Sequence, residues 1–247
     1  GLMNVGDAGG FVLFILPSIL VSLAVAPILL SITPTPAFDT AKPMTLRALF
    51  VNSPLASVGM LLLGGVFAAQ FGMASVYGAA AGLNVAQISS FIAVIFTGSL
   101  VLQFPVGWLS DRMDRRLLIC GLAALGAAAG LVAILSGAAY PVLLGVAFIF
   151  GGVTNPLYSL FIAYANDFLD IEDMPAASGA LVFVYGLGAI TGPIATGQLM
   201  EWAGPAGFWL FVMVLFLAIS AYALWRMTRR PSVPVDETGA YVGVMPT

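Results

Sequence analysis

Residues 107–116 read GWLSDRMDRR, and half of them are charged in a chain whose charged residues make up only 8% of the total. The chain has 247 residues, of which 61% are hydrophobic, and a mean hydropathy of +1.07. A soluble domain of this length needs far more charge to cover its surface. The composition therefore indicates a membrane protein, and the quoted stretch is one of its few polar joints.

Long apolar segments lie on both sides of this joint and alternate with short polar ones. A helix needs about 20 apolar residues to cross the hydrocarbon core of a bilayer. Seven segments reach roughly that length, and no charged residue interrupts the middle of any of them: 11–32, 54–78, 85–109, 117–136, 141–165, 175–200 and 206–225. The sequence thus predicts an all-α, multi-pass protein with seven transmembrane helices.

If these helices alternate in direction, every basic residue falls on one side of the membrane. These residues are Lys42, Arg47, Arg112, Arg115, Arg116, Arg226, Arg229 and Arg230. Lys and Arg are enriched in cytoplasmic loops. We therefore expect this side and the C-terminus to be cytoplasmic, and residues 1–10 to be outside.

The order of the segments also predicts the organisation of the chain. An outside start that leads straight into a spanning helix indicates that further helices precede it. Residues 1–32 are interpreted as the last helix of a missing N-terminal half, 33–53 as a proline-rich cytoplasmic linker, 54–230 as a six-helix half and 231–247 as a disordered cytoplasmic tail. The alternative is a complete seven-helix receptor or rhodopsin-type protein. It is disfavoured because no helix carries the buried Lys that a retinal Schiff base needs.

Residue types that support catalysis are scarce. The chain has no His and one Cys, Cys120, which lies near a helix end. An intramembrane hydrolase or oxidoreductase needs His, Asp, Glu or Cys placed together in a site, and a metal site needs a similar cluster. The sequence therefore predicts no enzyme, no metal, no cofactor and no nucleic-acid partner.

The quoted stretch resembles the loop signature of the major facilitator superfamily, G-x-x-x-D-R-x-G-R-R/K, which joins the second and third helices of each six-helix half. The matching residues are Gly107, Asp111, Arg112, Arg115 and Arg116. Asp114 stands where the family usually has Gly. Gly permits a positive φ at little cost and Asp does so less readily, so the sequence leaves Asp114 unexplained.

A second motif, GLGAITGPIATG at 186–197, resembles the G-x-x-x-G-P-x-x-x-G pattern of the fifth and eleventh helices of that family. The matching residues are Gly188, Gly192, Pro193 and Gly197. Small residues one turn apart let a neighbouring helix approach closely, and ordinary packing of this kind is the alternative to a family motif. The segments NPLYSLFIAYANDFL (155–169) and ASGALVFVYG (177–186) look like a bacterial branch of mostly uncharacterised efflux carriers called YcaD-like.

The resemblance implies a secondary transporter whose two six-helix halves rock about a central cavity. Its partners would be a small-molecule solute, the lipid bilayer and the missing N-terminal half. Proton-coupled efflux is an extension of this interpretation. Because the fragment offers no titratable group within the membrane, a coupling carboxylate would belong to the missing half. The alternative function is a non-transporting sensor or membrane scaffold that retains the fold.

Polar side chains are costly in lipid and tend to face the bundle interior. The candidates for contact with a solute are Gln70, Tyr77, Gln103, Asn155, Tyr158 and Tyr185. Gln70 and Tyr77, seven residues apart, are expected to share a helical face. By resemblance, the four helices that carry the candidates line the cavity, and hydrogen bonding between helices is the alternative role. A neutral or amphipathic solute is expected because no buried charge is available to neutralise an ion.

The residues of both motifs are assigned a gating role by the resemblance. In the family an Asp at position 111 faces the start of the eleventh helix, here near residues 175–178, when the cytoplasmic side is closed. The loop 165–175 supplies possible partners for the arginines of the first motif, namely Asp167, Asp170, Glu172 and Asp173. A solvated acidic turn that caps the next helix is the alternative.

Overall fold

The computed structural model describes residues 11–30, 44–137 and 139–229, and all regular elements within them are helical. They are α1 (Val12–Leu29), α2 (Leu46–Asn52), α3 (Pro54–Ala68), a π turn (Ala69–Met73), α4 (Ala74–Ala80), α5 (Val85–Ser110), α6 (Arg115–Leu135), α7 (Tyr140–Asn166), α8 (Met174–Ala203) and α9 (Ala206–Met227). The predictions made for residues 1–10, 31–43 and 230–247, which include the tail and most of the linker, lie outside the described residues.

Six of the predicted spans are present as helices long and apolar enough to cross a bilayer. They are Pro54–Ala80, Val85–Ser110, Arg115–Leu135, Tyr140–Asn166, Met174–Ala203 and Ala206–Met227. The first predicted span forms α1, which contains Pro17 and Pro27 and includes the shorter apolar helix Pro17–Pro27. The all-α membrane fold is confirmed, with six spans and one shorter apolar helix among the described residues.

The end of the predicted linker is helical and not extended. Thr45 caps α2, because its hydroxyl accepts a hydrogen bond from the backbone N–H of Ala48 at 3.2 Å. Leu49 is only 1% exposed, so the short helix packs against the bundle. Residues 46–52 of the predicted linker therefore form a helix, which an N-cap and an apolar anchor favour.

Glycines bring backbone against backbone in the crossing of α3 with α8 and in that of α5 with α7. In the crossing of α3 with α8, a Cβ on Gly188 would collide with the carbonyl oxygen of Leu61, and one on Gly64 with that of Tyr185. In the crossing of α5 with α7, a Cβ on Gly98 would meet a main-chain carbonyl of α7 in the same way. The close approach expected from Gly188 is thus present, and a second crossing of the same kind lies on the other side of the bundle.

The remaining spans complete the bundle around these crossings. α6 packs against α9 and α7, and α9 also contacts α3 and α8. The buried share of the most apolar stretch is 67% for Pro54–Ala80 and 61% for α7, but only 22% for α5 and 28% for α8. α5 and α8 therefore each present a largely uncovered face, while α3 and α7 lie at the centre.

We expect Gly188→Ala to destabilise the bundle, because the added methyl group overlaps the α3 backbone. An overpacked site of this kind costs about 1–3 kcal/mol. Gly186→Ala is the matched control, since no atom lies within 4 Å of a Cβ at that position. Thermal unfolding of the purified protein in detergent should show a lower transition temperature for Gly188→Ala alone. Equal transition temperatures for the two variants would contradict the crossing.

Candidate functional site

The uncovered faces of α5 and α8 carry large apolar side chains. Phe104 on α5 is 82% exposed and Ile190 on α8 is 68% exposed. Such patches on a bundle that spans a bilayer meet either lipid or another part of a protein. The side chains between these two faces are therefore the first place to look for a site.

Five aromatic rings from four spans lie in contact in this region, and we call them the ring cluster: Phe67, Phe71, Phe96, Tyr158 and Tyr185. The ring centroids of Phe67 and Tyr185 are 5.5 Å apart, those of Tyr158 and Tyr185 are 5.6 Å apart, and both pairs are edge to face. Phe71 stacks on Phe67 at 5.7 Å and reaches Phe96 at 5.8 Å. These separations are favourable for aromatic pairs. The cluster links the Pro54–Ala80 span to α5, α7 and α8.

Two of the predicted solute contacts, Tyr158 and Tyr185, belong to this cluster. Both are half-buried, and no described residue forms a hydrogen bond with either phenol. Phe71 and Phe96 are 60% and 47% exposed, so the cluster opens on the side that α5 and α8 leave uncovered. Sequence reasoning missed Phe67 and Phe71, although their spacing of four residues places them on one helical face.

Tyr77 lies elsewhere. Its side chain is 1% exposed, and its ring packs at 4.9 Å on Phe208 and near Phe91 and Trp209, in a buried group that we call the inner aromatic core. The π turn places an extra residue between Gln70 and Tyr77, so their seven-residue spacing does not put them on one face as it would in a regular α-helix. The structure thus gives Tyr77 a packing position.

Asn155 bridges two helices. Its Nδ2 donates to Ser99 Oγ at 2.6 Å, and Ser99 Oγ in turn donates to the carbonyl of Gly151 at 2.9 Å. The side-chain N–H of Asn155 therefore forms a hydrogen bond between helices, which is the alternative to contact with a solute. No described residue donates to its Oδ1. Thr154 is fully buried and bonds back to the carbonyl of Phe150, so it lies away from the open side.

A cavity of about 320 Å³ lies between α5 and α7 towards the charged end, by which we mean the end formed by residues 111–114 and 167–173. Its polar lining includes Gln103, Ser110, Asp111, Arg115 and Ser159. The structure therefore brings the predicted solute contact Gln103 together with predicted gating residues of the loop motif. Gln103 is not part of the ring cluster.

Asp114 is explained by the helix that follows it. It is the N-cap of α6, and its carboxylate accepts a hydrogen bond from the backbone N–H of Arg116 at 2.9 Å. The same carboxylate forms an ion pair with the guanidinium of Arg116 at 2.7 Å. Burial raises the pKa of Asp114, but the hydrogen bonds and charge of Arg116 outweigh it and hold the pKa below its ordinary value. Its φ is −57°, so this turn does not need the Gly of the family pattern.

Arg115 joins three helix ends at the charged end. It forms an ion pair with Asp167, which follows α7, and its Nε donates to Ser110 Oγ at 3.2 Å at the end of α5. Asp167 is 8% exposed, and this burial raises its pKa although Arg115 acts in the opposite direction. The predicted ion pairing between the acidic loop and the arginines is confirmed for Arg115 and Asp167.

The other charges have different partners from those expected. Arg116 pairs with Asp114 rather than with the acidic loop, and the guanidinium of Arg112 lies 4.1 Å above the ring of Trp108. Within the described part of the chain no ion pair involves Asp170, Glu172 or Asp173.

Asp111 does not contact the start of α8. Its side chain is exposed at the end of α5, and no described residue forms a hydrogen bond or ion pair with its carboxylate. α5 packs mainly on α7, whereas α8 packs mainly on α3, so the ends of α5 and α8 belong to different crossings. The contact predicted with residues 175–178 is therefore not made in this structure.

The glycine motif at 186–197 contains both tightly packed and loosely packed positions. Gly188 and Gly192 lie against α3, where a Cβ on Gly192 would come within 2.6 Å of the Cβ of Ala68. Pro193 lies inside α8, and its ring faces Gly72 of the π turn. Gly197 has only the methyl group of Met73 near it, at 3.9 Å from an added Cβ, so its surroundings are open.

Comparison with known proteins gives one family. The sequence model described as Major Facilitator Superfamily matches residues 55–244. The chain is 28% identical over 144 residues to the uncharacterized MFS-type transporter YfkF of Bacillus subtilis. The aligned region covers 58% of this chain and 37% of YfkF.

Two further relatives agree with this match. The chain is 27% identical over 173 residues to YE1530 of Yersinia enterocolitica, covering 70% of the chain and 43% of the relative. It is 29% identical over 143 residues to YcaD of Escherichia coli, covering 58% and 36%. Both relatives are described as uncharacterized MFS-type transporters. The chain spans less than half the length of these curated relatives.

Removal of Arg115 should destabilise the protein more than removal of Asp167. Arg115→Ala leaves a buried carboxylate without its cation, a change that typically costs about 3–5 kcal/mol. Asp167→Asn removes the charge and keeps an oxygen acceptor, so we expect a smaller loss, and the double variant should be more stable than Arg115→Ala. Thermal unfolding at pH 7 measures all three.

The pH dependence provides the control for this pair. Without Arg115, the buried carboxylate of Asp167 has a higher pKa in the folded protein than in the unfolded chain, so its ionised form destabilises the folded protein. This destabilisation is lost as the pH falls and the carboxylate takes up a proton. The deficit of Arg115→Ala should therefore shrink between pH 7 and pH 5. A deficit that grows on acidification would contradict the buried pair.

Proposed function

The chain belongs to the major facilitator superfamily, and from this membership we propose that it supplies the C-terminal half of a secondary transporter for small neutral or amphipathic solutes. The ring cluster is the observation that carries the proposal. It joins the four spans that meet on the open side of the bundle, and we propose that the solute binds against it.

The chemistry of the cluster supports an apolar, partly aromatic solute. Ring faces and edges bury large apolar areas and favour aromatic partners at 4.5–7 Å. The phenols of Tyr158 and Tyr185 and the Oδ1 of Asn155 add a few hydrogen-bonding groups, which is the usual make-up of a small-molecule site. The described spans carry charged side chains only near their ends, so an ion would find no counter-charge at the cluster.

The uncovered faces of α5 and α8 support the proposal of alternating access. We propose that these faces meet the N-terminal half of the same transporter, and that the two halves rock about the solute. The glycine crossings support this, since they tie α3 to α8 and α5 to α7 closely enough for the half to move as a unit.

Orientation and coupling are proposed on electrostatic grounds. The positive-inside rule favours a cytoplasmic charged end and C-terminus, and the bacterial relatives favour the inner membrane. Efflux driven by protons would need a titratable group in the membrane. We place that group in the N-terminal half, because Glu201, the acidic residue within the described spans, lies near the end of α8.

Alanine at Tyr158 or Tyr185 should weaken solute binding about tenfold, equivalent to roughly 1.4 kcal/mol, because an edge-to-face partner and a hydrogen-bonding group are lost. The neutral aromatic dye N-phenyl-1-naphthylamine is the probe, and the rise of its fluorescence above that in empty nanodiscs reports binding to the complete native gene product in nanodiscs. Tyr222→Ala is the matched control, since Tyr222 packs on Trp225 away from the ring cluster.

Four outcomes decide between the proposed functions. Unchanged binding in both variants would contradict the proposed solute site. Tighter binding of the cation ethidium than of the neutral dye would contradict a neutral solute. Dye flux in proteoliposomes of the complete protein supports transport. Binding without flux would favour the alternative, a sensor that retains the fold.

Asp111 supplies a test of gating. We propose that its exposed carboxylate finds its partner on the other half when the cytoplasmic side closes, so Asp111→Asn should favour the open state. A cysteine introduced at Ser159, which lines the cavity, should then react several-fold faster with a polar maleimide. The control is a cysteine at the exposed Thr228, whose rate should not change. An unchanged rate at position 159 would count against the gate.

A further inference from the structure

The π turn Ala69–Met73 interrupts the central span of the bundle. A π turn holds one residue more than an α-helical turn, is uncommon, and occurs frequently at functional sites. In the described part of the chain this is the one π-helical element. Its sequence, AQFGM, contains no proline that would force the irregularity.

Gln70 lies within this turn in an unfavourable environment. Gln70 is 4% exposed, and no residue in the described part of the chain forms a hydrogen bond with its Oε1 or its Nε2. A buried amide without partners has lost its hydration and received nothing in exchange, so it raises the free energy of the state that contains it. The turn is therefore held in a conformation that its own side chain disfavours.

The chain on each side of the turn is held firmly. Before it, α3 is fixed to α8 at the crossing of Gly64 with Gly188. After it, Tyr77 of α4 is packed in the inner aromatic core. Between these two anchors, Phe71 projects to the open side and contacts both Phe67 and Phe96. A change of winding at this turn would thus move a ring of the ring cluster.

We propose that Gln70 is a positioning residue that makes the π turn switchable, and that it acts on the solute through Phe71. If the extra residue of the turn passes to a neighbouring turn while both anchors stay in place, residues 69–73 rotate by about 100°, the angle per residue of a helix with 3.6 residues per turn. The amide of Gln70 then leaves its unsatisfied position and the ring of Phe71 leaves Phe67. This proposal rests on the solute site proposed above, because it assigns the turn to the control of that site.

The test is Gln70→Met in the complete native gene product, since Met has a similar length and no hydrogen-bonding amide. Because the variant removes the unsatisfied group, its transition temperature should rise by about 2–4 °C. It should also reduce the turnover of N-phenyl-1-naphthylamine transport about fivefold or more, with the Kd of the dye within about twofold, because the present winding is stabilised. A purely structural Gln70 would not couple a rise in stability to a loss of turnover.

Thr228→Met is the control, since Thr228 is an exposed polar residue just after α9, outside the ring cluster and the uncovered faces of α5 and α8. It should alter neither the transition temperature nor the turnover. Amide hydrogen exchange of residues 69–73 gives an independent readout. Exchange should be slower in Gln70→Met than in the native sequence.

Each outcome bears on the proposal. A lower transition temperature for Gln70→Met would mean that buried water satisfies the amide, and a higher temperature with unchanged turnover would mean that the turn does not move; either result overturns it. If the native protein neither binds nor transports the dye, the proposed solute site fails. The proposed role of Gln70 in the π turn is then tested by thermal stability and hydrogen exchange. A higher transition temperature of Gln70→Met with slower exchange at residues 69–73 supports this role, and any other result overturns it.

Discussion

The contact of backbone with backbone at glycine is the constraint on which this bundle depends. Lipid tails are as apolar as leucine side chains, so helices in a bilayer gain little by hiding apolar surface from lipid and associate instead by close packing. Here α3 meets α8 at Gly64 and Gly188, and α5 meets α7 at Gly98. The other helices fill in around these two pairs.

The candidate site is a product of the same two crossings. Gly64 lies against the carbonyl of Tyr185, so the approach of α8 to α3 brings that tyrosine to the ring of Phe67. At the other crossing, Ser99 follows directly on Gly98 and holds Asn155 by a hydrogen bond. The same helix crossings thus determine both the packing and the geometry of the site. A glycine, which has no side chain, can therefore be as important to the site as a tyrosine.

Sequence reasoning reached the helices but not all of the side-chain partners, for physical reasons. Hydropathy measures the transfer of a whole segment into lipid, which is independent of how the segments pack, so six spans were predictable. The partner of Arg115 depends on a crossing that brings Asp167 to it, and the acidic loop could only be named as a group. Tyr77 was assigned by α-helical spacing, which the π turn breaks. Phe67 was missed because an apolar ring does not stand out in an apolar helix.

The cap formed by Asp114 changes what the loop signature means at the position of its second Gly. With φ at −57° and a carboxylate on the N–H of Arg116, this position works as the start of a helix rather than as a flexible corner. Asn, Ser and Thr cap helices in the same way, and Gly serves nearly as well there without any side chain. A pattern that demands Gly at this position therefore describes one solution of a capping problem, and sequences that use a polar capping residue there remain compatible with the same turn.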